Sequence, residues 1–143
     1  MLDLRAVGTV AYLIALLWVS SCARRTSLTR DDLRSKLVSA SSYAAELEMF
    51  IDRVRQGRVT KLFVQGHATQ LEKELKRSAE ELDHSTPQSG TEPPFQECRK
   101  EVNFLRRELV LLPTLTGNDG ALQSEREQIK RSRERLADAS SLL

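Results

Sequence analysis

The chain has 143 residues, of which 40% are hydrophobic and 29% charged, and this is the size and composition of a single folded domain. Its net charge of +2 comes from 22 basic and 20 acidic residues that are interspersed, which excludes the basic stripe of a dedicated nucleic-acid binder. Two cysteines are too few for a disulfide scaffold. Leu, Ala, Glu, Arg, Ser and Lys dominate, with only 6 Gly and 4 Pro, so the composition predicts an all-α fold.

The N-terminal segment is the most informative part of the sequence. No charged residue lies between Ala6 and Val19, and Arg5 precedes this apolar stretch. A membrane-spanning helix needs roughly 20 apolar residues, whereas the apolar core of a signal peptide needs about 7–15, so the length favours a signal peptide. Two serines then lead directly to Cys22.

Residues 1–22 resemble the signal peptide and lipobox of bacterial lipoproteins, in which small residues precede a cysteine. Val19 departs from that pattern, because the class prefers Leu at this position. The resemblance implies that Cys22 receives a diacylglycerol and that the peptide before it is removed. The acyl chains would then hold the protein to a membrane, since each buried CH₂ contributes about 0.8 kcal/mol.

The same resemblance predicts a lipid-anchored protein of the cell envelope, on the periplasmic or extracytoplasmic side. Ala23 stands where an aspartate would retain a lipoprotein at the inner membrane of enteric bacteria, so the outer membrane is favoured in a host that has one. The alternative is an uncleaved single-pass anchor with a cytoplasmic helical domain. Arg24 and Arg25 support that alternative, because positive residues beside an apolar segment tend to stay cytoplasmic.

We expect residues 23–28 to form a short tether and residues 29–143 to form the helical domain, whose first helix spans about 30–56. Thr29 is a good N-cap for this helix. Its apolar residues alternate spacings of four and three, which is a coiled-coil-like seam. They are Leu33, Leu37, Ala40, Ala44, Leu47, Ile51 and Val54.

The second helix is predicted over about 61–83, after a short break. Gly57 is suited to end the first helix, and Thr60 is suited to cap the second. The short connection predicts an antiparallel helical hairpin, and the alternative is one long helix bent at Gly57. The seam of the second helix consists of Val64, Ala68, Leu71, Leu75, Ser78 and Leu82.

The third helix is predicted over about 95–112, after a loop from His84 to Pro94 that contains three prolines and a glycine. Pro113 is expected to stop it. Extra apolar residues flank the seam near the end of this helix, which predicts that it is the most buried element and completes the core with the hairpin. The seam consists of Phe95, Cys98, Val102, Leu105, Leu109 and Leu112.

The fourth helix, predicted over about 121–140, differs because it has one apolar residue per heptad. These residues are Leu122, Ile129, Leu136 and Leu143. So thin a stripe predicts either a weakly packed fourth helix of the bundle or one strand of an intermolecular coiled coil. The sequence therefore predicts a bundle of three to four helices.

The basic middle of the fourth helix is the candidate partner-binding face, for another protein or for a second copy of the chain. This face consists of Arg126, Ile129, Lys130, Arg133 and Leu136. The alternatives are an ordinary solvated helix face and a contact with anionic lipid head groups.

The sequence offers little for catalysis or cofactor binding. Met49 and His67 are a conceivable axial pair for haem, but no haem-attachment motif is present, and His67 and His84 are the only histidines. Cys98 lies on the seam of the third helix, so we expect it to pack in the core rather than act as a nucleophile. We therefore predict no enzyme activity, cofactor or metal.

These observations predict a membrane-tethered helical lipoprotein with a structural or protein-interaction role in the cell envelope. An alternative is a periplasmic sensor or chaperone-like domain that binds apolar segments. That alternative requires the seam of the first two helices to form an open cradle rather than a closed core.

Overall fold

A computed structural model describes residues 26–143 of the chain. Within this range the protein is a four-helix bundle with one short pair of strands, so the predicted all-α fold is confirmed. The helices are α1 (Arg30–Arg55), α2 (Lys61–Asp83), α3 (Glu92–Leu115) and α4 (Asp119–Ser141), and the strands are β1 (Thr26–Leu28) and β2 (Ser85–Pro87).

Local capping fixes where α1 begins. The backbone N–H of Asp32 donates to the hydroxyl of Thr29 at 3.2 Å, and the backbone N–H of Thr29 donates to the carboxylate of Asp32 at 3.2 Å. This reciprocal capping box satisfies two backbone donors at the helix start and contributes about 1 kcal/mol. Thr60 caps α2 with one similar bond, to the backbone N–H of Phe63.

The first two helices form the predicted antiparallel hairpin. Gly57 adopts a φ of 65°, which glycine tolerates without a Cβ clash, and the chain reverses there. Lys36 near the start of α1 forms an ion pair with Glu81 near the end of α2, so the two helices run in opposite directions. The alternative of one long bent helix is therefore wrong.

The most extensive helix contacts are those of α1 with α4 and of α2 with α3, whereas α1 and α2 approach each other less closely. Because α4 packs tightly against α1, the prediction of a weakly packed fourth helix is wrong. The prediction counted only the large apolar residues of α4. The seam positions between those residues also face the core. Those seam positions are Glu125, Ser132 and Ala139.

Proline positions set the bounds of α3 differently from the prediction. The helix begins at Glu92, with Pro93 and Pro94 in its first turn, where a missing backbone N–H costs nothing. It also continues through Pro113 to Leu115. A proline this close to the end of the helix removes one hydrogen bond, and the packed last turn tolerates the loss.

The strands join the start of the chain to the link between α2 and α3. β1 and β2 pair in parallel, with Thr26 opposite Ser85 and Leu28 opposite Pro87. The last three residues of the predicted tether are therefore fixed, and the predicted loop before α3 is partly strand. We call the end of the bundle at which Thr26 enters the entry end. The far end is the opposite one, where α1 ends and α2 begins.

The core is closed along the whole bundle within residues 26–143. Each large apolar side chain that folding removes from water contributes about 1.5–3 kcal/mol, and all four helices supply such residues. The largest fully buried side chains are Leu33, Leu37, Leu47, Ile51, Leu75, Leu82, Leu105, Leu109, Leu112, Leu122, Ile129 and Leu136.

Candidate partner-binding site

The predicted lipidation residue, Cys22, lies outside the described residues 26–143. The structure does describe where the chain enters the bundle, at the pairing of Thr26 with Ser85. Any attachment upstream of Thr26 reaches the bundle at the entry end. The far end then projects away from the attachment.

The apolar half of the face predicted on α4 belongs to the core. Ile129 and Leu136 are 0% exposed, which corrects the prediction that they face a partner. Lys130 is exposed and is the part of that face that points to solvent. The sequence correctly predicts that these residues share one stripe of the helix. The apolar residues of that stripe pack in the core rather than against a partner.

The two arginines of that face bind α1 within the same chain. Nε of Arg126 lies 2.8 Å from a carboxylate oxygen of Asp52, and Nε of Arg133 lies 2.8 Å from a carboxylate oxygen of Glu48. These pairs hold α4 against α1 in antiparallel register. The guanidinium groups are therefore already engaged and do not offer a free cationic surface.

A buried ion pair joins α3 to α4. Arg135 donates two hydrogen bonds of 2.8 Å to the carboxylate of Glu101, a residue that is 0% exposed. Burial alone would raise the pKa of Glu101, but the hydrogen bonds and charge of Arg135 together with contacts from Ser132 and Glu97 hold that pKa below its ordinary value. This carboxylate is satisfied within the fold and serves the packing of the two helices.

Glu125 is the one carboxyl of the described chain whose pKa is raised. Burial, and after it the contact with Glu108 on α3, raises the pKa of Glu125 to about 8. At neutral pH Glu125 is therefore predominantly protonated. Neither Glu125 nor Glu108 lines any of the five cavities described among residues 26–143.

Cys98 is buried in the core, as predicted. Burial raises the pKa of its thiol to about 12, so the thiol stays protonated and unreactive at neutral pH. His84, the other candidate near the entry end, caps α2 through its backbone N–H, which donates to the carbonyl of Glu80 at 3.1 Å. Burial therefore accounts for Cys98 as a packing residue of the core.

The far end exposes bulky apolar side chains. Leu62 is 79% exposed, Met49 57% and Phe63 50%, and all three flank the turn between α1 and α2. Val110 and Leu111, near the end of α3, are also exposed at this end. Met49 and Phe63 form one cluster, since both line the same cavity, and such a cluster marks an interaction surface more often than scattered single residues do.

Three rings organise this cluster. The ring of His67 lies edge-on to that of Phe50, with centroids 4.5 Å apart, and stacks on that of Phe63, with centroids 5.7 Å apart. Nε2 of His67 also lies 3.3 Å from a carboxylate oxygen of Glu46. The rings are therefore fixed by packing and by one polar contact, and they form a preorganised surface.

A cavity of about 270 Å³ opens beside these rings, between α1 and α2. We call it the far-end cavity. Met49 and His67 both line it, so the structure does bring together the pair considered for haem. The cavity is smaller than the roughly 300–1,000 Å³ of sites for small-molecule ligands. Its lining consists of Glu46, Met49, Phe50, Arg53, Phe63 and His67.

The far-end cavity has one cation in its lining. That cation is Arg53, while Arg58 lies in the turn between α1 and α2 and Lys61 is the first residue of α2. All three are exposed, and none has a carboxylate oxygen within 4.0 Å among residues 26–143, unlike Arg55, which pairs with Asp119 at 2.7 Å. The cavity thus combines apolar and aromatic side chains with one arginine, Arg53, and one carboxylate, Glu46.

A larger cavity, of about 450 Å³, lies at the entry end between the start of α3 and the end of α4. Two of its charged groups pair, since Nε of Arg135 lies 3.7 Å from a carboxylate oxygen of Glu97, and Asp138 also lines it. Of the large exposed apolar side chains, only Leu142 lines this cavity, whereas Met49 and Phe63 both line the far-end cavity. We regard the far-end cavity as the candidate site.

Sequence reasoning missed this site, although a signal was present. Leu62 and Phe63 are adjacent to the seam residue Val64, and Met49 and Phe50 stand beside the seam residue Ile51 in the same way. Apolar side chains on more than one side of a helix indicate either deep burial or an uncovered surface. Only the packing distinguishes these outcomes, because it buries Phe50 and leaves Phe63 half exposed.

None of the four described helices has a stretch long and apolar enough to cross a membrane. Among residues 26–143, no three His, Cys, Asp or Glu side chains are grouped as a metal site would require. Comparisons with protein-family models, curated proteins and solved structures found no match for this chain. What the far-end cavity binds therefore has to follow from its own residues.

Proposed function

We propose that this protein is a lipid-anchored helical lipoprotein of the cell envelope that binds a partner protein at the far end of its bundle. Lipid on Cys22 would hold it to a membrane on the extracytoplasmic side, at the outer membrane in a host that has one. The observation that carries the interaction role is the far-end cavity, which is lined by the exposed apolar side chains of Met49 and Phe63.

The length of the bundle is consistent with an anchor at the entry end and a binding surface at the far end. α1 contains 26 residues, so at about 1.5 Å per residue it separates the two ends by about 39 Å. A chain anchored upstream of Thr26 would present the far-end cavity to proteins well beyond the lipid surface. The bundle between the two ends acts as a rigid spacer.

The sensor or chaperone-like alternative has no comparable support. It requires an open apolar cradle along α1 and α2, whereas Leu37 and Leu75 on the two seams are at most 1% exposed. An apolar dye such as 8-anilinonaphthalene-1-sulfonate separates the two hypotheses. A cradle would bind several dye molecules along the seam, and the closed bundle would bind dye only weakly, at the far end.

Metabolic labelling with a radioactive or clickable fatty acid tests the anchor. We expect wild type to incorporate the label and to lose residues 1–21, and Cys22→Ala to do neither. Cys98→Ser is the matched control, because it removes the only other cysteine and should leave labelling unchanged. An unlabelled mature chain that retains its first 22 residues would instead support the single-pass anchor with a cytoplasmic domain.

A further inference from the structure

The ion pairs between α3 and α4 lie in the half of the bundle that is nearer the entry end. Nε of Arg135 on α4 lies 2.8 Å from a carboxylate oxygen of Glu101 and 3.7 Å from one of Glu97, both on α3. Nearer the far end, no ion pair joins these two helices in the described part of the chain. Two carboxyl groups meet there instead, Glu108 of α3 and Glu125 of α4.

The carboxyl of Glu125 has no opposite charge beside it. Glu125 is 5% exposed, and its Oε1 has no hydrogen-bond partner in the described chain. The charged group that acts on it from α3 is Glu108, which is also an acid. The neighbouring cations of α3 are directed elsewhere, since Arg106 lies 3.8 Å from Glu72 of α2 and Arg107 is exposed. Ionisation of Glu125 would therefore place a buried negative charge against a second carboxyl.

α1 holds the same stretch of α4 independently of α3. Nε of Arg55 on α1 lies 2.7 Å from a carboxylate oxygen of Asp119, and Nε of Arg126 lies 2.8 Å from one of Asp52 on α1. Asp52 and Arg55 are the charged groups that α1 brings to the first turns of α4, and both are already paired. The contact of α1 with α4 is also the most extensive in the bundle. Repulsion between the two carboxyls would therefore separate α3 from α4 and leave α4 on α1.

The end of α3 is the weaker part of that helix. Pro113 has no backbone N–H, so the hydrogen bond to the carbonyl of Leu109 is missing. Gly117, with a φ of 91°, follows in the turn to α4. Leu112 on α3 and Leu122 on α4 are 1% and 2% exposed, and separation of the two helices would uncover both. A short helix end that loses its packing also unwinds readily, because few hydrogen bonds hold it.

We propose that Glu125 is a proton-dependent latch, whose ionisation raises the population of a form in which residues 109–115 of α3 have detached from α4. We call this form the open form. Because burial and Glu108 raise the pKa of Glu125 to about 8, the closed form is favoured at low pH and the open form gains as the pH rises. The latch goes beyond the proposed function and does not depend on the lipid anchor or on what the far-end cavity binds.

Hydrogen exchange of the full-length chain in detergent micelles, read by mass spectrometry at about pH 6 and about pH 8, tests the latch. For each segment, the exchange rate of wild type is divided by that of Glu125→Gln at the same pH, which cancels the intrinsic dependence of exchange on pH. An open Glu125 titrates near its ordinary pKa, so this ratio should rise about tenfold or more over the interval in residues 109–118. It should stay within about twofold in residues 33–51 of α1 and 121–140 of α4.

Two further measurements keep the test independent of one variant. Glu134→Gln removes an exposed carboxyl of α4 and should exchange like wild type at both pH values. In wild type alone, residues 109–118 should accelerate more between the two pH values than residues 33–51 do. That comparison within one molecule decides the matter even where Glu125→Gln does not fold.

Three results would overturn the proposal. The first is equal acceleration of all four helices, because the bundle then unfolds as a whole. The second is the same exchange profile in wild type and Glu125→Gln, because the titrating group then lies elsewhere. The third is acceleration of α4 with α3 unchanged, because α4 is then the helix that detaches.

Discussion

The start of α2 and the core-facing side of α4 depart from simple hydrophobic burial in opposite directions. At the start of α2, Leu62 and Phe63 stand largely in solvent. Along α4, Glu125 and Ser132 lie inside the bundle, at 5% and 0% exposure. At the start of α2, the exposed apolar side chains do not contribute the stabilisation that burial would give. Along α4, the buried polar groups cost free energy because they are removed from water.

The two regions differ in how far their side chains are covered by the rest of the same chain. Charged groups of α4 contact groups of the same molecule: Arg135 donates two hydrogen bonds to Glu101, and Glu125 lies against Glu108. The apolar groups at the start of α2 are covered only in part, by His67 and by each other. Substitutions along α4 should therefore change stability, and substitutions at the start of α2 should change binding.

The largest effect on stability is expected on the buried stripe of α4. Ile129→Ala removes side-chain atoms that are 0% exposed, so it should lower the free energy of unfolding by about 2–5 kcal/mol, measured by urea titration with circular dichroism. Lys130→Ala, on the next and exposed residue, is the control and should change it by less than about 0.5 kcal/mol. Equal effects would mean that α4 is not held against the bundle.

An intermediate effect, dependent on pH, is expected at Glu125. The pKa of Glu125 is about 8 in the folded chain and ordinary in the unfolded chain, so the folded state binds more protons between these values. Stability contributed by this group is present below its ordinary pKa and is lost as the pH rises through about 8. Glu108 is the charged neighbour from α3, and the nearby Arg126 is engaged by Asp52 of α1.

Glu125→Gln should remove this loss, because the amide does not ionise. Between about pH 5 and about pH 9, the variant should gain stability relative to wild type by on the order of 4 kcal/mol, measured by urea titration at each pH. Glu134→Gln, an exposed position on the same helix, should follow the wild-type profile. Parallel profiles for wild type and Glu125→Gln would show that Glu125 titrates normally.

The smallest effect on stability is expected at the start of α2. Leu62→Ser changes a side chain that is 79% exposed, so the free energy of unfolding should shift by less than about 0.5 kcal/mol. The same substitution should reduce the binding of an apolar dye at the far end. A loss of more than about 2 kcal/mol would show that Leu62 packs against the bundle, which would contradict its assignment to an interaction surface.

Local sequence patterns were sufficient for the helices and for the hairpin. The four-three spacing of residues such as Leu33, Leu37 and Leu47 identified a core stripe, because side chains at that spacing share one helix face. Thr29 and Gly57 marked helix ends because capping depends on neighbouring residues alone. The bounds of α3 were less predictable, since packing of the whole helix outweighs the local preference of Pro113 to end it.

Which helices pack against each other could not be predicted from local sequence patterns. A stripe with one apolar residue per heptad does not show that the intervening Glu125, Ser132 and Ala139 will be buried, because their burial depends on which helix lies opposite. The same holds for the predicted partner face, where Ile129 is core and Arg133 binds Glu48 of α1. Neither contact can be read from α4 alone.

By itself the sequence determined that the chain is helical, where the helices lie and which stripes are apolar, because these follow from composition, capping and periodicity. It also supplied the lipobox-like residues up to Cys22, on which the proposed anchor rests. Only the tertiary structure decided that α4 is buried and that the rings of Phe50, Phe63 and His67 meet beside a cavity. Which faces remain exposed depends on how the helices pair, and that is a property of the whole bundle.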